Sequence, residues 1–221
     1  MTKSIIITAR ISKLNIFIYL MIIAFPLINS CIESDNTIRK ENAKFISKFR
    51  KADYSHVYNY KFPIGKLLDS LKVNKSLLHI EVDKSDFILS LFNDTQLVKQ
   101  YPVVLGKNPI NDKLQQGDNC TPEGTFKIKA RYEHEKWSKF IWLDYPTEES
   151  IFKIKEAKEA GIIPRESSPG GDIGIHGVEA GFDYAIDYGI NWTAGCIALK
   201  NNDIDEIYLI VSEKTKIIIH K

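Results

Sequence analysis

Residues 170–200 read GGDIGIHGVEAGFDYAIDYGINWTAGCIALK and hold two candidate strands. In the first, Ile173 and Ile175 alternate with Asp172, Gly174 and His176, so a period of two sends the isoleucines to one face and His176 to the other. In the second, Ile197 and Leu199 alternate with Cys196 and Ala198, which puts the thiol on the face that carries small Ala198. The Gly-, Asp- and Tyr-rich segment between them ends in Thr193-Ala194-Gly195 and suits a turn that brings the two strands together. A thiol then lies beside an imidazole.

Such a pair can act as nucleophile and base, the imidazole taking the thiol proton or holding the sulfur as thiolate. In the thiolate form Cys196 is expected to be alkylated well below the unperturbed thiol pKa of ~8.5. Gly195 lets a substrate approach the backbone closely, and the N–H groups of Gly195 and Cys196 could serve as an oxyanion hole. The same pattern also describes a buried structural cysteine and a hydrogen-bonded strand histidine, and spacing alone does not separate the two. The five histidines are scattered singly, with no CxxC or HxxxH, so neither a metal nor another cofactor is expected.

Ile175-His176-Gly177 and Thr193-Ala194-Gly195-Cys196-Ile197 resemble the two signature motifs of the L,D-transpeptidases with a YkuD-type catalytic domain. Gly117-Asp118, Thr121 to Phe126, Leu143 to Pro146, Pro169-Gly170-Gly171 and a closing helix from Asp203 to Tyr208 stand in that family's order, so the resemblance spans residues 76–221. It implies a predominantly β (α+β) fold, a β-sandwich of mixed sheets with a few peripheral helices. It also implies Cys196 as nucleophile and His176 as base, with Thr193, Ala194, Gly195 and Gly177 supporting the oxyanion site. Asp118, Thr121, Glu123 and Trp192 would then neighbour the substrate, a peptidoglycan stem peptide. Two positions depart from the family pattern: a histidine usually stands where this chain has Ala194, and an arginine where it has Ala198. Transfer of the acyl group to an amine is the implied reaction. Hydrolysis by the same pair, and a wall-binding lipoprotein without activity, stand as alternatives.

The chain has 221 residues, 44% hydrophobic and 26% charged, which is enough for one substantial domain with attachments and is not a disordered composition. Residues 1–30 hold three bases and no acid, leaving 27 bases against 28 acids beyond them. A balance so close to neutral argues against a nucleic-acid partner. The three cations precede an apolar run from Ile16 to Ile28, the length of a signal-peptide core and short for a membrane span. That run ends in Leu27-Ile28-Asn29-Ser30-Cys31, which resembles a lipobox, so Cys31 is the expected lipid attachment point and the membrane an expected partner. Residues 1–30 read as the signal peptide, 31–75 as a linker with short helices, and 76–221 as the catalytic domain in the cell envelope. Cys120 and Cys196 are then the remaining thiols. A disulfide between them would silence the nucleophile, whereas the resemblance implies a free Cys196.

Elsewhere, Ala43, Phe45, Ile46 and Phe49 suggest an amphipathic helix in the linker, and Tyr54, His56, Tyr58 and Tyr60 an arm that packs onto the domain. Leu67, Leu68 and Leu71 suggest a short helix. Leu78 to Val82, Phe87 to Phe92 and Leu97 to Leu105 alternate as a meander, with His79 a structural histidine in its first strand. Gly106 to Gly124 reads as a long loop, followed by a strand from Thr125 to Ala130. His134, Trp137, Trp142 and Tyr145 mark an aromatic stretch, with Trp142 assigned to the core. Glu148 to Ala160 reads as a surface helix ending at Gly161, possible lid material over the cleft. A last helix from Asp203 to Ser212, capped by Asn202 or its neighbour, precedes a strand at Ile217 to Ile219 that closes the sheet.

Overall fold

Apolar alternation builds an antiparallel meander first: β1 (Leu78–Asp83), β2 (Ile88–Asn93) and β3 (Gln96–Pro102) pair in sequence order. Leu78, Ile80 and Val82 are buried on β1, as its period of two requires. The computed structural model describes residues 51–221, and the compact unit within it runs from Lys51 to Lys221. The leader, Cys31 and the expected linker helix lie outside the described residues.

Five further strands follow: β4 (Gly124–His134), β5 (Ser138–Leu143), β6 (Gly174–His176), β7 (Ile197–Ala198) and β8 (Lys216–His220). The spatial order is β3-β2-β1-β8-β4-β5-β6-β7, with β1·β8 and β6·β7 parallel and the other pairs antiparallel. The mostly β class with mixed pairing is thus as expected. Long β4 joins the two halves: Gly124 to Lys127 pair with β8, and the remainder, after a register shift between Ile128 and Ala130, pairs with β5. Such an irregularity bends a strand and sharpens its twist. The sheet curls there.

One expectation is corrected by this order. Strand β8 does not close the sheet but lies near its middle, because Ile217 and Ile219 carry their side chains into the core and both strand edges find partners, β1 and β4. The main core gathers Ile80, Leu89, Leu91, Phe126, Ile141, Ile175, Ile197, Ile217 and their neighbours.

Among the described residues four α-helices sit around the sheet: α1 (Ile64–Ser70), α2 (Glu148–Glu159), the single turn α3 (Tyr184–Asp187), and α4 (Asn201–Ile210). Helix α2 starts on Thr147, whose side chain accepts from the Ser150 N–H, and stops at Gly161 with φ +69°. Helix α4 buries Ile204 and Ile207 against the core. It is not capped by Asn202: Asp183, from the preceding loop, accepts the Asn201 N–H at 3.1 Å, and α4 has no side-chain cap of its own. The arm ahead of α1 straps onto the domain. The Ala52 N–H donates to the Asp187 carbonyl at 2.8 Å, the Tyr54 hydroxyl donates to Ile186, and the Tyr60 hydroxyl donates to Asp203 at 2.9 Å. Among the described residues no helix is long and apolar enough to cross a membrane.

The central place of β8 is testable. Ile217→Ala, at a fully buried position, should lower stability by about 3 kcal/mol in urea unfolding. Leu209→Ala, on the exposed side of α4 at 74% exposure, should stay within about 0.5 kcal/mol of the parent.

Candidate active site

The site is built on one face of three neighbouring strands. Ile141, Ile175 and Ile197 stand directly opposite one another on β5, β6 and β7 and point into the core. By the period of two, the residues flanking them point the other way. Phe140, His176 and Ala198 form one register row on that second face, while Trp142 stands opposite Gly174 in the next. Cys196, two residues before Ala198, continues that second face. The expected convergence of thiol and imidazole on one face therefore holds.

Both groups line a pocket of about 470 Å³. Its wall is strongly aromatic. The His176 ring stacks on Trp137 at 4.4 Å and on Phe140 at 5.6 Å, and Trp192 meets it edge-on at 5.7 Å. Trp142 and Tyr132 also line the pocket. Trp142 belongs to this wall and is only partly buried, which corrects its assignment to the core. Sequence reasoning marked the aromatic stretch but missed strand β5 and, with it, the register that carries Phe140 and Trp137 to His176.

The imidazole is oriented from behind. His176 Nδ1 lies 2.6 Å from the Gly177 carbonyl, an acceptor that fixes the neutral tautomer with the proton on Nδ1 and leaves Nε2 with its lone pair. Gly177 has to be glycine, since a Cβ would meet Asn201 Oδ1 at 2.3 Å and the Trp137 carbonyl at 2.6 Å. Burial pushes the His176 pKa down to about 4, against the Gly177 hydrogen bond, which raises it. The ring is neutral near pH 7.

The turn before the cysteine is held by Thr193. Its hydroxyl donates to the Cys196 carbonyl at 2.7 Å and accepts the Gly195 N–H at 3.2 Å. Gly195 takes φ +140°, and a Cβ there would lie 2.6 Å from the Cys120 carbonyl, so backbone approach and conformation both demand glycine. The expected pair of oxyanion donors is altered in one respect: the Gly195 N–H is engaged by Thr193, while the Cys196 N–H has no partner among the described residues. Ala194 is exposed and lines the pocket.

Cys196 and Cys120 are both free thiols. Burial pushes the Cys196 thiol up to about 11, the Gly174 N–H lowering it and the Asp172 charge raising it further. This stands against alkylation well below the ordinary thiol pKa, since a desolvated imidazole supplies no positive charge to hold a thiolate. Burial thus disfavours the charged form of both groups.

The long loop places its residues elsewhere. Asp118 accepts from Lys113 Nζ at 2.8 Å and from the N–H groups of Leu114, Gln115 and Cys120. Although burial pushes its pKa up, these donors hold it below the usual carboxylate value. Thr121 is fully buried and accepts the Gly106 N–H, and Glu123 pairs with buried Lys84 at 2.6 Å. None of the three lines the pocket, and each is committed to holding the loop in shape; of the expected substrate neighbours Trp192 alone does so. Helix α2 does not line it either, packing Ile154 and Ala157 against Ile163 instead. His79 contacts Glu81 at 3.4 Å on β1, and His134 stacks behind Trp137 at 4.4 Å.

The sequence matches the L,D-transpeptidase catalytic domain family, YkuD, over residues 78–219. No curated protein sequence matches the chain. Among solved structures, the helical cell shape determining protein Pgp2 from Campylobacter jejuni is similar at 19% identity and a TM-score of 0.48, with 72% of this chain and 55% of that one covered. An L,D-transpeptidase of Enterococcus faecium follows at 15% identity and a TM-score of 0.43, with 65% and 49% covered. One from Mycobacterium smegmatis gives 18% and 0.40, with 66% and 59% covered. This chain spans about half the length of these structures.

The neutral pair sets a pH profile. Iodoacetamide should alkylate Cys196 at a rate that climbs from about pH 7 to 10, following a thiol held up to about 11. A plateau reached below about pH 7 would mean a preformed thiolate and imidazolium instead.

Proposed function

We propose, from the premise that this chain belongs to the L,D-transpeptidase catalytic-domain family, that Cys196 and His176 transfer acyl groups between peptidoglycan stem peptides. The family acts on peptidoglycan, so the work is done in the cell envelope. The observation that carries the reading is an accessible thiol in the same pocket as an imidazole whose Nδ1 is tied to a carbonyl, leaving Nε2 free to accept a proton.

The sulfur attacks the carbonyl at the L-centre of the stem's diamino acid as Nε2 takes the thiol proton. Attack and proton transfer run together because burial disfavours both ions beforehand. The unpartnered Cys196 N–H donates to the developing oxyanion, and Thr193 holds that N–H in place through the Cys196 carbonyl. Collapse expels the terminal D-alanine, whose amine leaves with the proton from His176. An acceptor amine then attacks the thioester to form a cross-link or attach a protein. Water in its place gives the hydrolase outcome, to which the absent histidine at Ala194 and arginine at Ala198 lend weight.

Mass spectrometry of the protein after incubation with a carbapenem and with a tetrapeptide stem tests the pair. Cys196→Ala should give no adduct, and His176→Ala should acylate about a hundredfold more slowly or worse. The double variant should be little worse than Cys196→Ala, since members of one unit fail non-additively. Ala194→His should shift rate or the transfer-to-hydrolysis ratio without being required for activity. Near-parental acylation by His176→Ala would assign the base elsewhere.

Export follows in the same reading: the mature chain begins at Cys31 and carries lipid, argued from the three cations, the apolar run and Ser30-Cys31. Intact mass and detergent partitioning check it, and Cys31→Ser should move the protein to the aqueous phase. An unchanged partition would sink the idea.

A further inference from the structure

The pocket around Cys196 is lopsided in charge. Among its lining residues Asp172 is the one carboxylate, and burial disfavours the charged form of His176. Asp172 is exposed and forms no ion pair with any described residue. It is also fixed against the nucleophile. Its backbone takes the left-handed conformation, φ +55°, and its carbonyl accepts the Cys196 S–H at 3.4 Å.

No lysine or arginine lines the pocket. Lys129 reaches the wall from Trp142, its Nζ lying 4.0 Å from the ring centroid, and it is not a lining residue. Ala198, where the family pattern has arginine, is fully buried. A substrate carboxylate entering here meets a like charge and aromatic carbon. A substrate ammonium meets its counter-ion beside the sulfur.

We propose that Asp172 selects the acceptor of the second half-reaction, drawing a primary ammonium group to the mouth of the pocket next to the acyl-thioester. The acceptor class is a primary amine with no carboxylate on the carbon that bears it. This rests on the reading that Cys196 is acylated. The ammonium releases one proton to solvent to become the nucleophile. Its nitrogen attacks the thioester carbonyl, the C–N bond forms as the C–S bond breaks, and the second amine proton passes through His176 to the departing sulfur. The products are an amide and the free Cys196 thiol. Asp172 itself forms no bond to the reacting carbon and is a positioning residue.

The test separates the two halves of the reaction. The parent protein and its variants are first acylated by a tetrapeptide stem, and the adduct on Cys196 is verified by mass. Each acyl-protein is then offered two acceptors, Nα-acetyl-lysine amide, whose side-chain ammonium has no neighbouring carboxylate, and D-alanine, which is zwitterionic. The parent should favour the first in aminolysis kcat/KM by about two- to fivefold, the scale of one exposed ion pair, and added salt should shrink that preference. Asp172→Asn should abolish it, Asp172→Lys should reverse it, and Asp172→Glu should restore it. An acyl-protein whose preference is the same in all four forms overturns the proposal, as does a preference that follows Lys129→Ala instead. Absence of any adduct on Cys196 overturns the acyl-transfer reading as well, and the adduct mass distinguishes that failure from the first.

Discussion

The register row Ile141–Ile175–Ile197 is the constraint on which the site depends. Each of these side chains is fully buried in the main core, and each stands opposite the next across β5, β6 and β7. Because strand side chains alternate with a period of two, burying this row forces the residues beside it onto the other face. His176 and Cys196 are delivered together by that rule. A slip of one residue in β7 would put Cys196 in the core and a branched isoleucine in the pocket, at the cost of burying fewer apolar groups on the core side. The hydrophobic face thus secures the geometry of the polar one, and the glycines at 177 and 195 allow the surrounding backbone to come close enough to hold it.

The aromatic surroundings of His176 have a chemical consequence. Three rings against the imidazole exclude water from it, and desolvation is the leading reason why its pKa falls to about 4. The same exclusion raises the thiol. An apolar pocket therefore disfavours the charged form of both groups, and a hydrogen bond made inside it is worth more than it would be in water.

Much of this was legible in the sequence because it is local. The alternation around Ile175 and Ile197, the meander, the stop of α2 and the apolar face of α4 are all written in spacings of two to four residues. What could not be read is set by partners distant in sequence. Strand β5 reads Ser-Lys followed by four consecutive apolar residues, Phe140 to Leu143, with no apolar–polar alternation, so its place beside β6 comes from tertiary pairing. The middle position of β8 depends on β1 and β4, which lie far from it along the chain. Asp118, Thr121 and Glu123 are expected at the cleft from the family resemblance alone, while the Gly, Asp and Pro around them spell only a turn-rich loop. Their partners, Lys113, the Gly106 N–H and Lys84, are fixed only once the loop folds back on itself.

The two departures from the family pattern are physically unlike each other, although the sequence presents both as alanine. Ala194 is exposed on the pocket wall, so a longer side chain there has room and would enter the site directly. Ala198 is sealed. Its backbone exchanges hydrogen bonds with Val104 in both directions, and its methyl group packs with Val104, Val178 and Ile186, with Phe182 and Trp192 against that cluster. Ile186 in turn sits at the end of the arm's grip, its carbonyl accepting from Tyr54 and the next residue's from Ala52. An arginine at 198 would have to bury an unpaired guanidinium there or displace the α3 segment and the arm that straps it, and an unpaired buried charge is costly enough to favour the second. Position 198 is therefore part of an apolar wall with no room for a cation, and the carboxylate among the pocket's lining residues belongs to Asp172.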